Sequence, residues 1–144
     1  MFKTILLATK FSPKANLARD VAIELAVALK AKVHVLAVYD CSSVERAQLD
    51  FAAIPDELKT RIRENLDARF KEYAKVFEQH GVSPASIVKF GNPESEIIGT
   101  AEEVGANLII IGAGTRKHVL FDRFLQNVTD KVRKQARCHV LTIV

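Results

Sequence analysis

Leu108-Ile109-Ile110-Ile111-Gly112-Ala113-Gly114-Thr115-Arg116-Lys117-His118 decides the fold. Its four consecutive large aliphatic residues, entered from Asn107, predict a strand covered on both faces. The glycine-bearing loop that follows leads to a helical pattern restarting near Asn127. A buried strand feeding such a loop and a helix start is how open α/β proteins build anion sites, because free N–H groups of loop and first turn face outward together. The segment from Gly112 to Val128 is therefore the first candidate site.

Working outward, the chain alternates strand and helix. Thr4 to Thr9 reads as a strand through Ile5-Leu6-Leu7-Ala8, and Ser12 and Pro13 then supply an N-cap and a first helical residue. The helix that follows places Leu17, Val21, Leu25 and Leu29 at a spacing of four, and this face is expected to cover the sheet. Val33 to Tyr39 is the second strand, with His34 a partly exposed strand residue and no catalytic base. The pattern from Asp40 to Pro55 is mixed, with room for a short helical turn.

Pro55 and Asp56 open the longest helix, whose Leu58, Ile62, Leu66, Phe70, Tyr73 and Phe77 step by three or four up to Gly81. Packing of this stripe on the sheet is the plainer expectation, and a partner-helix seam the alternative. Ile87 to Phe90 is the third strand and Gly91-Asn92-Pro93 its turn. Glu94 to Val104 is a helix with Ile97, Ile98, Ala101 and Val104 inward, stopped by Gly105. Asn127 can cap a last helix with Val128, Val132 and Ala136 on one side, and His139 to Val144 closes the chain as a strand. Five strands with four intervening helices and short connections predict one domain over residues 1–144. Its expected architecture is α/β, a doubly wound five-stranded parallel sheet with helices on both faces, in three α/β/α layers.

Composition narrows the function. The 144 residues carry a formal charge of +4, but basic and acidic residues alternate along the helices instead of forming a block, and there is no Trp. Nucleic-acid binding is a minor reading on that pattern. Cys41 and Cys138 have neither short-range pairing nor metal-ligand spacing, which argues for a reducing compartment and no metal. With parallel strands they fall at opposite rims of the sheet, too distant for a disulfide. No apolar run reaches 18 residues, so no membrane association and a cytoplasmic location are expected.

Ligands of such sheets gather at the carboxyl ends of the strands. Thr9-Lys10-Phe11-Ser12 lacks the glycines of a dinucleotide turn, no Gly-Lys-Ser/Thr phosphate loop occurs, and there is no Gly-x-Ser-x-Gly elbow. No catalytic residue is assigned. Asp40, the one well-placed carboxylate, reads as a turn former.

A resemblance then covers nearly the whole chain. Ile5-Leu6-Leu7-Ala8-Thr9 with Phe11-Ser12, Val35-Leu36-Ala37-Val38-Tyr39-Asp40, Gly91-Asn92-Pro93 before Ile97, Leu108-Ile109-Ile110-Ile111-Gly112, and Val128-Thr129-Asp130-Lys131-Val132 with Cys138-His139-Val140-Leu141 occur in this order. Together they resemble the universal stress protein family. The resemblance implies an adenine nucleotide alpha hydrolase-like fold and a cytoplasmic stress-response protein, usually a homodimer whose last strand pairs with its copy. Here that strand is His139, Val140, Leu141, Thr142, Ile143 and Val144. An apolar terminal strand independently suggests an edge that needs cover.

Many members of that family bind ATP through Gly-x2-Gly-x9-Gly-Ser/Thr and an aspartate just after the first strand. Gly112 matches the first glycine, and the second falls on Thr115, or on Gly114 if the loop is displaced. The Gly-Ser pair falls on Gln126 and Asn127, with one extra residue between, and the aspartate on Lys10. Ala8, Thr9 and the backbone of Val38 match the positions that frame adenine. If a nucleotide site is retained, it consists of Ala8, Thr9, Lys10, Val38, Gly112, Gly114, Thr115, Arg116, Asn127 and Val128.

Each lost charge-assisted hydrogen bond removes roughly 1.5 to 3 kcal/mol, so two remove roughly 3 to 6, against about 8 for a micromolar ligand. Arg116, Lys117, His118 and Lys10 offer side-chain cations in compensation. The expectation is a dimeric regulatory protein acting through protein contacts with a degraded nucleotide site and no cofactor. An ATP- or AMP-responsive switch is the alternative, and hydrolysis the least favoured reading.

Overall fold

The computed structural model describes residues 1–13, 15–40, 55–112 and 128–144. Along them run β1 (Thr4–Ala8), α1 (Ala15–Leu29), β2 (Lys32–Asp40), α2 (Asp56–Glu78), β3 (Ala85–Gly91), α3 (Pro93–Val104), β4 (Leu108–Gly112), a helix α4 over 128–135, and β5 (His139–Ile143). The strands form one parallel sheet in the order β3-β2-β1-β4-β5. The doubly wound fold anticipated from the alternation is the one observed. The order reverses at β1, which has β2 on one side and β4 on the other, so the crevice at the carboxyl ends opens there.

Alternation along each strand sends successive side chains to opposite layers. Ile5, Leu7, Val33, Val35, Leu108 and Ile110 pack beneath α1 and α2. Leu6, Ala8, Leu36, Ile109 and Ile111 pack beneath α3 and α4, against Ile97, Ala101, Val128 and Val132. Burial on both faces is why these strands read as continuous apolar runs.

The helix ends follow the sequence closely. Ser12 Oγ accepts the Ala15 N–H at 3.1 Å, and Asn92 Oδ1 accepts that of Ser95 at 3.1 Å with Pro93 in the first turn. Gly105 stops α3 at φ 67°, a left-handed conformation that glycine adopts without steric cost.

The inward faces differ from expectation in three helices. In α1 the buried residues are Ala15, Ala18, Ala22, Ile23 and Ala26, while Leu17 and Leu29 are 52% and 45% exposed. The bulk at this contact comes from the strands, Ile5, Leu7 and Ile110, so small helix residues fill the remaining space at native density. In α2 only Phe70, Tyr73 and Phe77 are buried, and Leu58 is 45% exposed. Its 23 residues span roughly 35 Å. The seven residues of β3 span about 23 Å, so the first turns of α2 overhang the carboxyl rim. In α3 Pro93, Ile97, Thr100 and Ala101 are buried, whereas Ile98 and Val104 are half-buried. The inward stripe is therefore rotated toward Thr100.

Candidate functional site

β1 ends at the crevice in Ala8 and continues into Thr9, both buried. The Thr9 N–H donates to the Leu36 carbonyl at 2.9 Å, which extends the β1–β2 ladder by one rung. Its hydroxyl is committed internally: Oγ1 accepts the Phe11 N–H at 2.9 Å and lies 3.3 Å from Tyr73 Oη. Tyr73 spends its one proton on Asn16 Oδ1 at 2.9 Å, so Thr9 is the donor in the Thr9–Tyr73 bond. Burial pushes the Tyr73 phenol above its ordinary range, with the Thr9 hydrogen bond acting in the opposite direction.

Phe11 closes this corner from above. Its φ of 58° is an uncommon value for an aromatic residue, and two edge-on ring contacts hold it there, Phe70 at 5.1 Å and Tyr73 at 4.8 Å. The Arg19 guanidinium lies 5.2 Å from the Tyr73 ring centroid. The turn after β1 is thus fixed by α1 and α2 together.

Lys10, between Thr9 and Phe11 in sequence, is exposed at this rim. Burial lowers its ammonium pKa, and the Asp40 carboxylate at the end of β2 acts in the opposite direction by attraction. Val38 is half-buried against the α3 layer, and Tyr39 turns outward onto Phe90, ring centroids 5.8 Å apart. Arg63 of α2 covers the other reach of Phe90 at 4.9 Å. At the end of β3, Gly91 has φ 153°, a backbone conformation that favours glycine, and an added Cβ would also have to displace the end of the Glu96 side chain, whose Oε1 it would meet at 2.9 Å.

Of the residues singled out from the sequence, Ala8, Thr9, Lys10, Val38 and Gly112 come to one rim, with Gly112 paired to Ile143 at the end of β4. Val128 is 5% exposed and, from the first turn of α4, packs into the core against the sheet. Gly114, Thr115, Arg116 and Asn127 lie outside the described residues, as do Lys117, His118, Gln126, Cys41 and the segment 41–54. His34 is half-buried in β2, its imidazole pKa lowered by burial and by Lys32. Cys138 is half-buried, its thiol pKa raised by burial. Among the described residues no three of His, Cys, Asp or Glu are grouped to hold a metal ion.

Sequence reasoning missed Tyr73 and Asn16 as parts of this rim. Tyr73 sat in a core stripe, and nothing local tied it to Thr9, 64 residues away.

A parallel five-stranded sheet of this order, with its crevice at β1 and β4, agrees with a family match that runs over residues 1–143. The chain belongs to the universal stress protein family. It is 29% identical to universal stress protein MJ0531 of Methanocaldococcus jannaschii, over 99% of this chain and 82% of that one. It is 28% identical to universal stress protein YxiE of Bacillus subtilis, over 99% of each. Among solved structures, MJ0577, a universal stress protein of the same archaeon, superposes with a TM-score of 0.79 at 25% identity, over 99% of this chain and 96% of that one. A universal stress protein solved in complex with cAMP superposes at 0.71 with 20% identity, over 99% and 97%. That last likeness speaks for the fold alone.

Proposed function

We propose that this universal stress protein is a homodimeric regulator in stress adaptation that acts through protein contacts, with a nucleotide crevice no longer suited to triphosphate. In this reading residues 1–144 act as one cytoplasmic domain, paired through His139 to Val144. Catalysis has no part in it. Among the described residues no helix is long and apolar enough to cross a membrane.

The observation that carries the reading is the Thr9-Lys10-Phe11 corner. A group that would greet adenosine, the Thr9 hydroxyl, is already used by Phe11 and Tyr73. Lys10 stands where the family's ATP motif, by the resemblance, would have an aspartate, and the Asp40 carboxylate attracts its ammonium. Recruiting the Thr9 hydroxyl to a ligand would first break an internal hydrogen bond, at about 1 to 3 kcal/mol, whereas drawing the exposed Lys10 away from Asp40 costs about 0 to 1 kcal/mol.

A second reading, an ATP- or AMP-responsive switch, rests on the open rim at Gly112, where nothing described lies within 4 Å of an added Cβ. A fold relative holding cAMP agrees with it. Titration with a fluorescent ATP analogue, with and without magnesium, separates the two. The regulator reading expects no saturation below millimolar concentration and no nucleotide absorbance in the purified protein. Micromolar saturation establishes the switch.

A further inference from the structure

α1 is apolar on more than the side that seats it. Only Asn16, Arg19, Asp20 and Glu24 are polar in its 15 residues, and the sheet side takes Ala15, Ala18, Ala22, Ile23 and Ala26. Leu17, Val27 and Leu29 stay 52%, 51% and 45% exposed. A surface helix ordinarily shows solvent a charged face, and a helix apolar all round is one that is covered. α2 beside it is the ordinary case, since its exposed residues are mostly charged or polar.

At one place this apolar surface is concave. Ile23, Val27 and Ala28 form, with His80 just past α2, a groove of about 490 Å³, a size ordinary for a binding pocket. Ile23 is buried at its floor and Val27 is its open wall. Asp20 and Glu24 line it as well, and no lysine or arginine of the described residues does, Lys30 at the helix end included. Asp20 is held by Arg19, whose guanidinium lies 2.9 Å from it and reaches over the Tyr73 ring. Arg69, another cation on this side, acts on Tyr73, about two turns of helix from His80. Glu24 is exposed and has no ion pair among the described residues.

We propose that this groove seats an amphipathic helix of a partner protein, with aliphatic side chains on Ile23, Val27 and Ala28 and a lysine or arginine against Glu24. The inference deepens the regulator reading and rests on it for the claim that the chain acts through protein contacts. Shape and charge choose the occupant. The groove follows a helix, a track into which the side-chain ridges of a second helix fit. An unpaired carboxylate repels nucleic-acid phosphate and anionic lipid headgroups, and it attracts a cation placed beside an apolar anchor. Two such grooves meeting across a two-fold axis would bring the Glu24 carboxylates of both copies together, which disfavours a second copy of this chain.

The test titrates the isotopically labelled full chain with a synthetic amphipathic helix of leucine and lysine, and with its counterpart of leucine and glutamate. Saturation by the lysine peptide alone is expected, with the largest amide shifts at Ile23, Glu24, Val27, Ala28 and His80. Val27→Ser and Glu24→Lys, both at exposed positions where folding is not at stake, are each expected to weaken that binding about tenfold. Leu17→Ser, at an equally exposed position nearly three turns away on α1, is expected to leave it unchanged. Absence of binding, saturation by both peptides alike, shifts centred elsewhere, or unaltered affinity of the Val27 and Glu24 variants overturns the inference. Shifts at these amides that grow with protein concentration alone assign the groove to a second copy and overturn it too. Failure here without ATP saturation below millimolar concentration leaves the regulator reading standing, whereas micromolar ATP saturation overturns that reading whatever the peptide does.

Discussion

The carboxyl rim of β1 and the outer edge of β5 are opposites. At the rim, Thr9, Phe11, Tyr73 and Asn16 satisfy one another through hydrogen bonds and ring contacts supplied by three elements. At the edge, β5 has one neighbouring strand among the described residues, and aliphatic residues of β5 and α1 remain partly exposed beside it. The region where a small ligand would enter is internally knit, and the region where a partner would add is open. The contrast teaches that chain polar groups can be consumed by folding, which leaves less for binding.

If the rim is knit as described, its substitutions cost stability and those at the edge do not. Tyr73→Ala removes a buried ring together with both of its hydrogen bonds and is expected to lower unfolding free energy by about 3 to 5 kcal/mol in urea titrations. Tyr73→Phe keeps the ring but leaves Thr9 and Asn16 without their shared partner, for a loss of about 1 to 3 kcal/mol.

The same pair of proteins carries a pH signature. The folded-state pKa of Tyr73 is raised above its ordinary 10.0, so its contribution is complete below pH 10.0 and is lost as pH rises through the higher folded value. Wild type is therefore expected to lose stability in that alkaline window more steeply than Tyr73→Phe, measured as urea midpoints against pH.

Ser12→Ala removes the α1 cap beside the rim, with an expected loss of about 1 kcal/mol by the same titration. Val144→Glu, at an 84% exposed position past β5, is expected to change stability by less than about 0.5 kcal/mol when unfolding is followed at concentrations low enough to dissociate any β5 pairing. A large effect there, or a small one at Tyr73, would erase the contrast.

The fold was legible because burial on both faces leaves a mark in sequence. Leu108 to Ile111 and Ile5 to Ala8 have no polar positions to confuse the reading, and Ser12, Asn92 and Gly105 act locally as caps and stops. The seating of α1 was not legible. Hydrophobicity ranks leucine above alanine, but the contact is decided by space, and Ile5, Leu7 and Ile110 had already taken it. A periodic stripe likewise says which face of α2 is apolar without saying how far the helix overhangs the sheet, which is why Leu58 stays exposed. At the site, short-range motifs placed Thr9, Lys10 and Val38 at one rim. The Thr9–Tyr73 bond joins residues 64 positions apart, beyond the reach of any motif.

The central claim is that the corner after β1 is held by its own chain and has lost its use for nucleotide. It is tested most directly by adding magnesium-ATP to isotopically labelled protein and following the amide resonances of Thr9, Lys10, Phe11, Val38 and Asp40. The expected result is no saturable shift at those amides below millimolar ATP. Saturation at micromolar ATP, centred on Thr9 and Lys10, contradicts the account.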